Sequence, residues 1–382
     1  MSTAAAESIP TAEGSAADVA SPRLRRSAAL DGLRAVGVST TVLYHLGVGA
    51  FAGGFVGIDM FFALSGYLIT SIVIREHSAT GTFRLGRFWL RRLLRLYPAL
   101  IAVCVVAYFL WGYGVRDYAP TSSWWASALT TLTYSSNFAI WLGSVWPGPL
   151  APMWSLAMEQ QFYLVWPPIL FLLLTKRVRS RFVIGGLLVI GVLSLVGVWF
   201  GFVSRGSRST AFVYFSPLEN LMPLVLGCVL ALILAVPRGR ALLSPRVGAW
   251  LTWIGAIGLV AIAVTMPADW KAHRYILVLI LPLAGAAAAM LVAGLVTARS
   301  PISWLLGLRP IAWFGRNLSY SLYLWHYLVI IVLTQLLNGP LEKPVIVAVA
   351  VALAAASYFV IERPFLRLKD RFEPKVTERR MA

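Results

Sequence analysis

Arg34 and His45 stand eleven residues apart on the first apolar run of the chain, LDGLRAVGVSTTVLYHLGV. On a helix rising about 1.5 Å per residue they would be roughly 16 Å apart. Arg34 would then lie near one membrane face and His45 in or past the middle of the hydrocarbon layer. Each has a structural use: an Arg at a span end can anchor to lipid phosphates, and a His within a span can hydrogen-bond a neighbouring helix. Each also has a chemical one, because a guanidinium binds phosphate and an imidazole exchanges protons near neutral pH. Intramembrane ionisable groups are costly enough to mark function by default.

Further polar residues interrupt the later apolar runs. GGFVGIDMFFALSGYLIT carries Asp59 and Ser65. The short turn before it lets Asp59 approach the His45 end, where a carboxylate would orient the imidazole. The other reading of Asp59 is a helix-start carboxylate accepting from free backbone N–H groups. Ser65 and Gly66 fit close helix packing better than nucleophilic chemistry, since no G-x-S-x-G elbow surrounds them. In FWLRRLLRLYPAL, Arg91 and Arg95 share a helix face with Arg92 beside them. Such a cluster suits either a phosphate-rich ligand or lipid headgroups. PMWSLAMEQQFYLVWPP puts Glu159, Gln160 and Gln161 in the first turns of a span, so these side chains should face the bundle interior. GRNLSYSLYLWHYLV brings Ser319, Tyr323 and His326 near one face with Tyr320 adjacent; an aromatic belt accounts for the tyrosines but not for His326. Asp31 precedes the first pair, and the last span ends at Glu362, Arg363 and Pro364, a stop signal.

The elements that position these residues are membrane helices. The 382 residues are 59% hydrophobic and 13% charged, with a mean hydropathy of +0.77, outside the soluble globular range. Apolar runs of about 20 residues predict an all-α bundle of about ten spans. They cover 30–50, 55–74, 97–114, 153–174, 182–203, 217–236, 248–266, 275–297, 318–337 and 344–361. With the N-terminus inside, only six of the 33 Lys and Arg fall on outer segments: Arg116, Arg205, Arg208, Lys271, Arg274 and Lys343. That asymmetry places both termini in the cytoplasm. It also explains the net charge of +18 by contact with the bilayer, without nucleic acid. Residues 115–151 read as an outer-face or re-entrant segment, since another crossing would break the charge parity. Residues 1–22 read as a disordered tail without signal-peptide character, 23–364 as the membrane domain and 365–382 as a cytoplasmic tail. Cys104 and Cys228 both fall within spans without framework spacing, so neither a disulfide nor a metal site is expected.

In this order the segments resemble the integral-membrane acyltransferase-3 family. The resemblance rests on Arg34 and His45 with ten residues between, GGFVGIDMFFALSGYLIT, RRLLRLYP, WSLAMEQQFY, SYSLYLWH and the terminal ERP. Tyr67 stands where the family usually has phenylalanine after the Ser-Gly pair. The resemblance implies transfer of an acyl group, acetyl or another short chain, from acyl-CoA to a hydroxyl of a sugar-containing acceptor. That acceptor would be an envelope glycan, a lipid-linked sugar or a glycosylated metabolite such as a macrolide. Arg34 and His45 match the signature pair, Arg91, Arg92 and Arg95 the basic motif for coenzyme A phosphates, and Glu159 the acidic position. Asp31, Asp59, Ser65, Tyr320 and His326 are expected to support the site or touch substrate. Acyl-CoA enters as co-substrate, with no tightly bound cofactor expected, and the setting is a bacterial cytoplasmic membrane. Family members often carry a further secreted hydrolase-like domain after the last span; with none in this sequence, the membrane unit is expected to act alone. His45 is the expected general base. Transfer is expected to be direct, as no Ser or Cys has an activated-nucleophile setting. On physics alone, a transporter or flippase with Arg34, His45 and Glu159 on its path fits the same spans, although no inverted repeat is visible.

Overall fold

The computed structural model describes residues 27–112, 123–205, 214–218, 220–267, 269, 273 and 276–370. The expected tail 1–22 lies outside these, as do residues 113–122 and 371–382. Among the described residues there is no strand; the protein is all-α. In chain order the helices are α1 (Ala28–His45), α2 (Gly57–Thr80), α3 (Leu85–Gly112), α4 (Trp124–Leu132), α5 (Ser136–Trp141), α6 (Met153–Thr175), α7 (Ser180–Arg205) and α8 (Leu221–Ala235). They continue with α9 (Pro237–Leu242), α10 (Pro245–Thr265), α11 (Leu281–Thr297), α12 (Pro301–Leu306), α13 (Arg309–Asn317), α14 (Ser319–Leu336), α15 (Glu342–Ser357) and α16 (Arg363–Asp370). π-helical turns at Ile276–Ile280 and Tyr358–Glu362 lead into α11 and α16.

Among the described residues, seven helical segments are long and apolar enough to cross a membrane: those containing α2, α3, α7, α10, α11, α14 and α15. The other three predicted spans are helices of a different kind. α1 and α6 carry Asp31, Arg34 and His45, or Glu159, Gln160 and Gln161, inside otherwise apolar sequence. α8 is apolar but only 15 residues long. The basic run and the third span form one continuous helix, α3, with Pro98 inside it rather than at a boundary. In the ambiguous segment, α4 and α5 have nine and six residues, too few for either to cross a bilayer.

Burial separates the helices into interior and periphery. α2 is central, with 72% of its apolar window buried, whereas α7 and α10 bury 22% and 28% of theirs. Their exposed Phe200, Trp250 and Ile257 form the kind of surface that only lipid tolerates. Lipid gives apolar side chains no reason to leave it, so membrane helices associate by close packing of small residues. α2 and α8 do so through Gly66 and Gly227: a Cβ on Gly66 would strike the Leu224 backbone, and one on Gly227 the Ala63 backbone. α1 and α13 meet in the same way at Gly315, which lies against the Asp31 backbone. Ser65 and Gly66 thus occupy a tight helix crossing.

Candidate active site

α1, α2, α3, α6 and α14 surround a cavity of about 80 Å³. That holds several waters but no acyl-CoA without side-chain movement. Its polar lining is Arg34 from α1, Ser65 from α2, Arg92 and Arg95 from α3, Ser155, Glu159 and Tyr163 from α6, and Ser319, Tyr320 and Tyr323 from α14. Helical periodicity selects these residues. Ser155, Glu159 and Tyr163 are four apart and stack on one face of α6; Arg92 and Arg95 are three apart on α3; Tyr320 and Tyr323 are three apart on α14.

Asp31 organises the basic end. Its Oδ1 accepts from Arg34 Nη1 at 3.1 Å, one helical turn along α1, and its Oδ2 accepts from Nε and Nη2 of Arg316, both at 2.8 Å. Only 4% of Asp31 is exposed. The carboxylate offsets part of the positive charge and aims Arg34 while tying α1 to α13. Across the cavity, Tyr163 donates to Ser65 Oγ at 2.8 Å, and Ser65 in turn donates to Glu159 Oε1. The Arg92 guanidinium lies 4.7 Å from the Tyr163 ring centre and 5.6 Å from that of Phe88, a cation–π stack that holds it in place. Tyr320 donates to the Leu96 carbonyl at 2.6 Å, joining α14 to α3.

Tyr323 closes the far wall. Its hydroxyl donates to the Pro152 carbonyl at 2.6 Å and accepts from Ser155 Oγ at 2.5 Å. Immediately beyond it is His326, with ring centres 5.5 Å apart. His326 is wholly buried, and its Nε2 lies 2.9 Å from His45 Nδ1. The rings of Tyr44 and Tyr327 pack 5.0 and 5.1 Å from His45. Neither histidine lines the arginine cavity, and Tyr323 stands between the two.

Arg34, Arg92, Arg95, Glu159, Ser65 and Tyr320 thus come together in one cavity, with Asp31 behind Arg34. Arg91 is not among the residues lining it. Asp59 is not the partner of His45. It sits buried in the first turn of α2, where the positive end of the helix favours a carboxylate, and His326 takes the place expected for it. Arg316, Ser155 and Tyr163 were not anticipated. The four-residue polar spacing on α6 was the available signal for the last two; nothing local marks Arg316, 285 residues from its partner.

The segment before α6 is fastened to α6 and to α3. Gln161 donates to the Tyr134 carbonyl at 2.7 Å and exchanges amide hydrogen bonds with Asn137 at 2.8 and 3.3 Å, while Tyr97 donates to the Leu132 carbonyl at 2.8 Å.

Helices fit to cross a bilayer, with three arginines and Glu159 brought together in one interior cavity, define a multi-pass integral membrane protein. A family model described as an acyltransferase domain matches residues 27–363, and the chain belongs to this acyltransferase-3 family. It is 29% identical over 354 residues to the peptidoglycan O-acetyltransferase OatA of Listeria monocytogenes, covering 88% of this chain and 54% of the relative. It is 33% identical over 352 residues to the O-acetyltransferase OatA of Staphylococcus aureus, covering 88% and 56%. The chain spans about half the length of the curated relatives it matches. No solved structure matches it.

Proposed function

We propose that the protein is a membrane O-acyltransferase that moves an acetyl or similarly short acyl group from acyl-CoA to a hydroxyl on a cell-envelope glycan. The observation that carries this reading is the shared cavity of Arg34, Arg92, Arg95 and Glu159, separated by a single tyrosine from a pair of imidazoles. Family membership and the O-acetyltransferase relatives support the acyl group and the sugar acceptor. The setting is a bacterial cytoplasmic membrane, with ten crossings and both termini inside, so that the basic end of α1 faces the cytoplasm where acyl-CoA is found.

The three arginines bind the coenzyme A phosphates, with Arg34 aimed by Asp31 and Arg92 held on Tyr163. The pantetheine arm runs along α1 toward His45, and Tyr323 swings aside to admit it. His45 then removes the proton of the acceptor hydroxyl as its oxygen bonds to the thioester carbon. Collapse of the tetrahedral adduct breaks the C–S bond, and the proton passes from His45 to the departing thiolate. The products are the acyl ester and free coenzyme A. Glu159, tied to Ser65, neutralises part of the arginine charge so that the product can leave.

Purified protein in lipid nanodiscs, given radiolabelled acetyl-CoA and soluble peptidoglycan glycan fragments, should release free thiol and label the glycan at ester-stable pH. The His45→Ala variant should lose both signals while remaining monodisperse. Labelling unchanged by His45→Ala refutes the base assignment. Movement of glycan across a sealed bilayer without acylation would favour a carrier instead.

A further inference from the structure

The hydrogen bonds around His326 determine which nitrogen of His45 can act as the base. His326 Nδ1 lies 2.7 Å from the Tyr323 carbonyl and 3.2 Å from that of Leu322. Carbonyl oxygens only accept, so this nitrogen carries a hydrogen. The ring is 0% exposed and, among the described residues, no carboxylate is bonded to it, so it holds a single proton and its Nε2 presents a lone pair. His45 Nδ1, 2.9 Å away, must then donate, and in a neutral imidazole that leaves the lone pair on Nε2. The two rings are inclined by 28°, and Tyr44 and Tyr327 flank His45 at angles of 52° and 61°.

The geometry points to His326 as the positioning residue of the reaction. Anchored through its own helix backbone, it fixes His45 in the Nδ1–H tautomer and turns Nε2 toward the acceptor hydroxyl. The inference rests on the reading of His45 as base, and it adds a defined reacting atom to it. The anchor is main chain, where a catalytic histidine more often leans on a carboxylate. Asp59 is therefore not needed for this task. When His45 takes the acceptor proton on Nε2, the resulting imidazolium still donates through Nδ1 to the His326 lone pair, so the pair stabilises the transient charge without rearranging.

Two measurements test this. In protein labelled with 15N-histidine and held in nanodiscs, solid-state NMR should show His45 with a protonated Nδ1 and an unprotonated Nε2, assigned by loss of the signals in His45→Gln. Only four histidines are present, so assignment is tractable. Kinetics with acetyl-CoA and the soluble glycan fragment should then separate His326→Gln from His326→Asn. The Gln amide oxygen reaches the place of Nε2 and can accept from His45, whereas the Asn amide reaches only the place of Nδ1. We expect kcat within about 10-fold of wild type for Gln and about 100-fold down for Asn, the upper end of the usual loss when such a supporting group is removed. The KM for acetyl-CoA should be unchanged in both. An Nε2–H tautomer of His45 in the wild-type spectrum, or equal kcat in the two variants and wild type, overturns the inference. Loss of activity in His45→Ala alongside full activity in both His326 variants defeats this inference alone; full activity in His45→Ala defeats the base assignment, and the spectrum still decides the tautomer.

Discussion

Replacing Asp31 should weaken donor binding through a residue that need never touch the donor. Its carboxylate holds Arg34 at 3.1 Å on one oxygen and Arg316 through two contacts of 2.8 Å on the other. The two arginines differ in exposure. The Arg316 side chain is 40% exposed and can rehydrate, so its half of the bridge contributes about 1 kcal/mol or less. The Arg34 side chain is 20% exposed and shares the cavity with Arg95, so losing its counter-charge costs about 1–2 kcal/mol. Asp31→Ala should therefore lower stability by about 2 kcal/mol, a drop that thermal unfolding followed by tryptophan fluorescence can register. On the proposed reading Arg34, once untethered, loses its aim at the donor phosphates, and the KM for acetyl-CoA should rise about tenfold, equivalent to about 1.4 kcal/mol. Arg316→Ala should reproduce only the smaller part of the stability loss and leave KM within twofold. The reasoning fails if Arg34→Ala raises KM tenfold or more while folded Asp31→Ala leaves it unchanged.

Three other outcomes follow from contacts described above. Gly227→Leu drives a side chain into the Ala63 backbone and should cost about 3 kcal/mol or more, visible as loss of the monodisperse peak in size-exclusion chromatography. Tyr323→Phe removes the bond to the Pro152 carbonyl, from which Ser155 Oγ is 3.4 Å away. The variant should lose about 1 kcal/mol of stability and hydrolyse acetyl-CoA several-fold faster in the absence of acceptor, since the wall between the arginine cavity and the imidazoles is unlatched. Gln161→Leu should raise hydrogen exchange across residues 124–141 without changing that of α10, as measured by mass spectrometry.

Features encoded within one helix were legible in the sequence, and features made by two distant ones were not. The α class and the run of α1 from Arg34 to His45 follow from apolar length and helical rise. On α3 the expected pairing of Arg91 with Arg95 gives way to Arg92 with Arg95, and on α14 Ser319, Tyr320 and Tyr323 face the cavity while His326 does not. On α6, attention to three adjacent polar residues obscured the informative pattern, which was the recurrence of Ser155, Glu159 and Tyr163 every four. The short turn joining α1 to α2 makes Asp59 the partner that sequence spacing offers His45. Yet that turn ends at Gly57, which puts Asp59 in the first turn of its own helix, and the imidazole found its partner 281 residues away. Such a choice depends on which helices pack together, and sequence spacing carries no measure of that. By contrast, the polar residues inside α1 and α6 set them apart in the sequence from the apolar α7 and α10, which are presented to lipid.

The hold on the α4–α5 segment has an evolutionary consequence. Gln161 and Tyr97 grip it through the main-chain carbonyls of Tyr134 and Leu132, the Asn137 amide and the Tyr134 ring, which meets Tyr97 edge-on at 5.3 Å. The two carbonyl bonds depend on the course of the main chain and not on the side chains that carry it there. The outward-facing positions of the segment, among them Trp125, Leu129 and Leu142, can therefore drift while the bonds that hold it stay in place. In this architecture the fastening of the segment and the character of its outer face can be inherited as separate traits.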